Sequence, residues 1–242
     1  MPTRDNVTPG ERWAFDSEVT DAFDDMLSRS IPQYDVMRDL VTSLAARFVV
    51  DDSMILDLGC SRGEALARVR QHALNRGCRF VGVEVSLPMY EAARERFLCD
   101  EDVEILPLDL RSAFPEGEAS VVLSVLTIQF IPIEYRQAIV ARVFRALRPG
   151  GAFLLVEKVL GSSDAMNQLL VDEHHALKRR NGYSDDDIER KKHSLEGVLV
   201  PVTAAWNEDI LRSAGFGVER VWQWCNFTAW VAVKQPRPQA PD

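Results

Sequence analysis

The stretch Asp57-Leu58-Gly59-Cys60-Ser61-Arg62-Gly63 follows a short apolar run, Met54-Ile55-Leu56, and runs into the helix-forming Glu64-Ala65-Leu66-Ala67-Arg68-Val69. A strand ending in acid-x-Gly-x-x-x-Gly that passes directly into a helix is a strand–turn–helix nucleotide site. Glycine has no Cβ, so the backbone can turn sharply there and let a ligand sit against it. The spacing departs from the dinucleotide fingerprint G-x-G-x-x-G, because Ser61 holds the second glycine's place and an acid opens the turn. A nucleoside ligand without a pyrophosphate suits such a turn. Asp57, Gly59, Cys60, Ser61 and Gly63 are therefore candidate cofactor contacts, against the alternative of an ordinary strand–helix turn.

The elements that must position this turn are legible as periodicity. Residues 14–48 have the apolar spacing of an amphipathic helix, with Phe15, Val19, Phe23, Met26 and Leu27 on one stripe, broken at Pro32 and resumed from Tyr34. From residue 54 short apolar runs alternate with helical patterns, which predicts a parallel sheet covered on both faces. The predicted strands are 54–58, 79–84, 103–108, 119–125 and 152–158, and Arg148-Pro149-Gly150-Gly151 closes a helix at 134–147. Residues 160–200 interrupt the alternation with two charged helices, Asp164 to Arg180 and Asp185 to Leu199, the second opened by the capping-box pair Ser184 and Asp187. A helix at 207–214 and strands at 217–224 and 227–234 complete the pattern as an antiparallel edge hairpin. The expected fold is α/β: a Rossmann-like, seven-stranded, mostly parallel sheet with an antiparallel edge hairpin, N-terminal helices and a helical lid insertion. The expected division is an N-terminal cap at 1–50, a nucleotide-binding core at 51–159, a lid at 160–200, the closing helix and hairpin at 201–234, and a Pro-rich disordered tail at 235–242.

Ligands of an open parallel sheet gather at the carboxyl ends of its strands. Glu84 ends the second predicted strand, where a carboxylate accepts both ribose hydroxyls, or is simply a solvated acid. Asp109 ends the third, as an acceptor for an adenine amino group or as a helix N-cap. Thr127 and Gln129 follow the fourth strand, facing the ligand or hydrogen-bonding neighbouring loops. On the second insertion helix Ile188, Lys192, Leu195 and Leu199 share a face, with Lys191 toward its rim. A lysine on an apolar stripe either snorkels to water or meets an anion. His174 and His175 are candidate general bases or structural residues.

Composition narrows the function classes. The 37 acids and 28 bases of this 242-residue chain give a net charge of -9, which argues against a nucleic-acid surface. No apolar stretch is long enough to span a bilayer and the start lacks a signal-like pattern, so a cytoplasmic location is expected. Cys60, Cys78, Cys99 and Cys225 have no CxxC or metal-ligand spacing and read as free thiols, with no metal expected.

The acid-led glycine turn is the form usual in class I S-adenosylmethionine (SAM) enzymes. Within that class the chain resembles the carboxy-S-adenosyl-L-methionine synthases. The resemblance runs from Trp13-Ala14-Phe15-Asp16 to Lys234, through Arg29-Ser30-Ile31-Pro32-x-Tyr34, Thr127-Ile128-Gln129-Phe130 and Glu157-Lys158. It continues in His174-His175-x-x-Lys178-x-x-Asn181-Gly182-Tyr183-Ser184, Leu195-Glu196-x-Val198 and Asn226-Phe227. It implies a homodimer that binds SAM or carboxy-SAM, takes a small-molecule substrate, and converts SAM and prephenate into carboxy-SAM and phenylpyruvate. Tyr34 and Gly59-Cys60-Ser61 carry over as ligand contacts, and Asp109 with Leu110 as the adenine-side pair. Tyr183 and Gln129 join Lys192 as substrate candidates, and Tyr34, His174 and His175 are the candidate bases.

Departures from the family pattern fall on ligand positions. Its acid–asparagine pair is Glu84-Val85 here, its fourth-strand asparagine is Val125, and the arginine facing the added carboxylate is Lys192. Lysine keeps the charge but not a planar two-pronged donor. On these residues the first expectation is a SAM-dependent methyltransferase acting on a small molecule, built on this scaffold. Carboxy-SAM synthesis is the alternative, and a SAM-binding, non-catalytic protein the third reading.

Overall fold

The computed structural model describes residues 4–236. Helix α1 (Ser17–Ser30) starts where the Asp16 side chain accepts from the Val19 amide, and α2 (Tyr34–Phe48) follows Pro32 and Gln33, whose φ of 47° lets the chain reverse. The core then alternates through β1 (Met54–Leu58), α3 (Glu64–Gln71), β2 (Arg79–Glu84), α4 (Leu87–Arg96), β3 (Val103–Pro107), β4 (Ala119–Val125), α5 (Ile133–Ala146) and β5 (Leu147–Leu160). Helices α6 (Asp164–Arg180) and α7 (Asp185–Leu195) come next. The two-residue β6 (Val202–Thr203), α8 (Ala204–Ser213), β7 (Gly217–Trp224) and β8 (Phe227–Val233) close the fold.

The sheet order is β3-β2-β1-β4-β5-β8-β7, with β6 paired to the end of β5. Pairings from β3 to β5 are parallel, and β8 runs antiparallel to both β5 and β7. The mostly parallel seven-strand path with its antiparallel hairpin is therefore as expected; β6 is additional. Strand β5 begins earlier than expected, since Leu147 already pairs with Ala119 ahead of a register shift at the Gly150-Gly151 turn. The chain turns between β7 and β8 at Cys225, with φ of 49°.

Successive residues of each strand point to opposite faces, and each face has its own core. Leu56, Val83, Val122 and Phe153 pack under α5 and α8, with the fully buried Trp230. Ile55, Phe80, Leu123 and Leu154 pack under α2 and α3. Buried on both sides, β1 and β4 are mostly apolar, interrupted by Asp57 in the first and by Ser120 and Ser124 in the second. Ser86 caps α4, Ser163 caps α6, Thr203 caps α8, and Ser184 with Asp187 forms the anticipated capping box on α7.

Helix α7 ends at Leu195, one turn short of the expected boundary, and its buried face differs from the expected one. Ile188, Lys191 and Ser194 are buried, whereas Lys192 is half exposed. No helix is long and apolar enough to cross a membrane among the described residues. There, too, no group of three His, Cys, Asp or Glu side chains could hold a metal ion. All four cysteines are free thiols. The anticipated tail lies outside the described residues from position 237 onward.

Candidate functional site

A cavity of about 410 Å³ opens over the carboxyl ends of the central strands. Its floor is the β1–α3 turn. Gly59, at φ 69°, bends the chain, the Cys60 amide donates to the Val83 carbonyl at 2.9 Å, and Ser61 follows at φ 49°. A Cβ on Gly59 would lie 2.2 Å from Cγ2 of Thr127, whose hydroxyl donates to the Gly59 carbonyl at 3.2 Å. The glycine therefore lets the β4 loop close onto the turn as well as leaving the backbone open. Gly63, at φ 77°, starts α3 and faces Phe97, 2.5 Å from where a Cβ would sit; it is not on the cavity wall, contrary to expectation.

Glu84 clamps this floor. One carboxylate oxygen accepts from the Ser61 amide at 2.9 Å, the other from the amides of Val85 and Ser86 at 2.9 and 2.8 Å. Burial pushes its pKa up against the opposing pull of those N–H groups. The acid thus ties the β1 and β2 turns together while lining the cavity, a structural duty the strand-end position did not reveal. Asp57, on the same wall, is buried, and its Oδ2 has no hydrogen-bond partner. Burial, with Glu84 nearby, raises its pKa to about 7. An unpartnered buried carboxylate oxygen fits a ligand that supplies a donor or a cation.

The side of the cavity next to β2 and β3 has Val85, Asp109 and Leu110 on its wall. Asp109 is held by Arg111 through a bidentate pair, the shortest contact 2.6 Å, which lowers its pKa. Val125 and Thr127 come from the end of β4 and its loop. The Gln129 amide, expected at substrate, is instead spent on backbone: its Oε1 accepts from the Lys158 amide at 2.8 Å and its Nε2 donates to the Leu126 carbonyl at 3.3 Å. Behind it the buried Arg136 guanidinium donates to the carbonyls of Gln129, Ile131 and Val200.

Helices and the N-terminal segment cover the other side. Tyr34 opens α2 with the Arg38 guanidinium 4.3 Å over its ring. Burial lifts its phenol to about 12, so it is a hydrogen-bond donor near neutral pH and a poor base. His174 reaches the cavity while His175 does not, as adjacent residues on a helix diverge. The buried His174 ring sits 2.8 Å through Nε2 from the Ser30 carbonyl and packs edge-on to Phe227. Burial, then Lys178 and Lys158, depresses its pKa to about 2, so it is neutral and structural rather than a proton acceptor. Of the three candidate bases, Tyr34 and His174 line the cavity and His175 does not.

Tyr183 also leaves the expected role. Its hydroxyl bonds Asp5, and Arg29 stacks 4.1 Å over its ring, away from the main cavity. Asp5 pairs with Lys191 at 2.9 Å, with side chains only 2% and 10% exposed respectively, and so fixes the N-terminal segment to α7. Trp13, whose amide donates to the Ser194 carbonyl at 2.8 Å, and Phe15, 5.1 Å from Phe130, roof the cavity between them. Removing the Asp5 carboxylate strands a buried ammonium, so Asp5→Ala should lose ~2 kcal/mol and lower Tm by ~4–8 °C. Differential scanning fluorimetry reads this directly, and an unchanged Tm would show the pair to be energetically idle.

Lys192, expected against a carboxylate, pairs with Glu189 at 2.9 Å and lies outside this chain's cavity. Lys158, Lys178 and Lys191 line it instead. Burial lowers the pKa of Lys158 to about 8 and that of Lys178 to about 7. The sequence signal for Lys158 was the charged pair Glu157-Lys158 behind the apolar run at 152–156.

A family profile described as a methyltransferase domain matches residues 55–151. The chain is 37% identical over 226 residues to the carboxy-S-adenosyl-L-methionine synthase of Histophilus somni (strain 2336), covering 92% of this chain and 93% of that one. The protein of the same name from Haemophilus ducreyi is 36% identical over 241 residues, with 96% and 98% covered. Among solved structures, an O-methyltransferase family protein from Burkholderia thailandensis superposes with a TM-score of 0.67 at 19% identity. That match covers 92% of this chain and 61% of the other, so the chain spans about three-fifths of its length. Human N-acetylserotonin methyltransferase superposes with a TM-score of 0.59 at 17% identity, over 91% of this chain and 56% of the other.

Proposed function

The chain belongs to the carboxy-S-adenosyl-L-methionine synthase family, and from that premise we propose that it binds SAM in the cavity above β1 and makes carboxy-SAM from SAM and prephenate. Methyl transfer to a small acceptor, first in order on the sequence departures, yields to this reading. Identity of 36–39% spread over nearly the whole chain is the observation that carries it. The departures at Val85, Val125 and Lys192 are side-chain exchanges within a scaffold that still fits the ligand.

The fit rests on the chain's own atoms. The unpartnered Asp57 Oδ2 offers an acceptor to a cationic ligand, Glu84 retains lone pairs for ribose hydroxyls beside its amide bonds, and Leu110 gives the purine an apolar wall. SAM supplies an activated methyl carbon on a sulfonium. Around it the turn Gly59-Cys60-Ser61 orients the adenosyl group, and Trp13, Phe15 and Phe130 exclude water from the cavity. Lysines on the cavity wall favour a second substrate that arrives as an anion.

The deciding experiment incubates the purified protein with SAM alone and with SAM plus prephenate, followed by mass spectrometry of the small molecules. Carboxy-SAM and phenylpyruvate are expected only when prephenate is present. S-adenosylhomocysteine with a methylated acceptor, and no carboxy-SAM, would return the methyltransferase reading to first place. SAM binding without turnover would favour the non-catalytic one.

A further inference from the structure

Lys158 at the end of β5 and Lys178 on α6 face the same part of the cavity, with neutral His174 between α6 and the Ser30 carbonyl. Neither ammonium makes an ion pair or side-chain hydrogen bond among the described residues, unlike Lys191, which has Asp5. The two are close enough that each disfavours the protonation of His174, and Lys158 that of Lys178. Buried charges are ordinarily paired, because an unpaired one forfeits its hydration. Two half-buried amines on one wall of a ligand cavity, with no acid paired to either among the described residues, therefore mark where negative charge belongs.

Their place in the fold says which charge. Val125 at the end of β4 pairs in register with Val156, and Lys158 lies two residues further along β5. The lysines thus stand beyond the floor built by Gly59 and Thr127, on the side of α6 and α1, away from the purine wall at Asp109 and Leu110. We infer that Lys158 and Lys178 form the subsite for the carboxylates of the second substrate, a small dicarboxylic acid, and select it over neutral molecules of the same shape. The assignment rests on the synthase reading only for the identity of that acid. Lys192, which the family resemblance set against a carboxylate, lies outside this chain's cavity and pairs with Glu189 at 2.9 Å.

The other carboxylate that could occupy the lysines is that of the methionine moiety, and the test separates the two. Lys158→Met and Lys178→Met keep the length of the side chain and drop the charge. Calorimetry measures S-adenosylhomocysteine binding first, then titrates prephenate, and separately malonate, into the S-adenosylhomocysteine-saturated protein. Each variant should weaken both acids ~tenfold or more while S-adenosylhomocysteine affinity stays within about twofold, as expected of a charge-assisted contact to the acid alone. Both variants should melt at or above the wild-type temperature, since a half-buried amine without a counter-charge has been replaced by an apolar side chain. Loss of S-adenosylhomocysteine affinity with acid binding unchanged would place the methionine carboxylate on the lysines and overturn the proposal. So would acid affinities unmoved by either substitution, a wild-type protein that binds neither acid, or a lowered Tm accompanying the loss. Malonate binding that both variants lose, in a wild-type protein that ignores prephenate, would overturn the synthase reading and leave the lysine subsite standing.

Discussion

Gly59→Ala should abolish useful SAM affinity, with a loss of roughly 30- to 1,000-fold. Two costs combine at this position. The residue sits at φ 69°, where any Cβ clashes with its own carbonyl for about 1–2 kcal/mol. The new methyl would also stand 2.2 Å from Cγ2 and 2.5 Å from Oγ1 of Thr127, an overpacking that costs typically about 1–3 kcal/mol. Relief means moving either the turn or the β4 loop, and both line the cavity. The loss therefore falls on binding as well as on folding. Calorimetry with S-adenosylhomocysteine gives the affinity, and circular dichroism checks that the variant folds. Adding Thr127→Gly removes the clashing atoms and should restore part of the affinity, leaving the cost of the dihedral. A double variant no better than Gly59→Ala alone would mean that Thr127 is not what the methyl meets.

The legibility of this protein followed the range of the interactions involved. Strands such as Met54–Leu58 and Ala119–Val125 were readable because burial on both faces requires mostly apolar runs. The start of α7 announces itself through the capping box of Ser184 and Asp187, whereas α8 begins at Ala204 behind its Thr203 cap, three residues ahead of the expected 207. The glycine turn was readable as a tight strand–helix turn for the same local reason, and it floors the cavity. The assignment of faces on α7 was not. Spacing put Lys192 on the apolar stripe, yet Lys191 is the buried one because its partner Asp5 lies 186 positions away in the chain. Tyr183 is drawn off the cavity by the same distant acid. Gln129 shows a further limit: a polar side chain beside a ligand site is as useful for holding a loop as for holding a ligand, and only its partners distinguish the two. The unpaired state of Lys158 and Lys178 likewise depends on which charges fail to approach them, and residue spacing carries no information about that.

The β4–α5 loop bears Thr127, Gln129 and Phe130, and its order depends on a buried pair whose members should respond very differently to substitution. Arg136, 1% exposed, donates at 2.7, 3.1 and 2.8 Å to the carbonyls of Ile131, Gln129 and Val200, so it anchors both the loop and the chain leaving α7. Arg136→Met takes a donor from the carbonyls of Ile131, Val200 and Gln129, only the last of which keeps a second donor, the Val200 amide at 2.9 Å. A loss of ~3–5 kcal/mol is expected, lowering Tm by ~6–20 °C. Glu157→Gln should be nearly neutral, because burial has already raised the Glu157 pKa to about 8 against the pull of Arg136 and the loop amides. A glutamine oxygen can still accept from the Ile128 amide, now at 3.0 Å. The pH dependence carries the sign. A carboxyl whose folded pKa lies above its unfolded value contributes fully below the unfolded value, ~4.5, and loses that contribution as pH rises toward ~8. Wild-type stability should therefore fall relative to Glu157→Gln between pH ~5 and ~8, and level off above. Thermal melts of both proteins across that interval measure the widening gap. A gap that stays constant would show Glu157 ionised throughout, with Arg136 as its true counter-ion, and would make the glutamine variant as damaging as the methionine one.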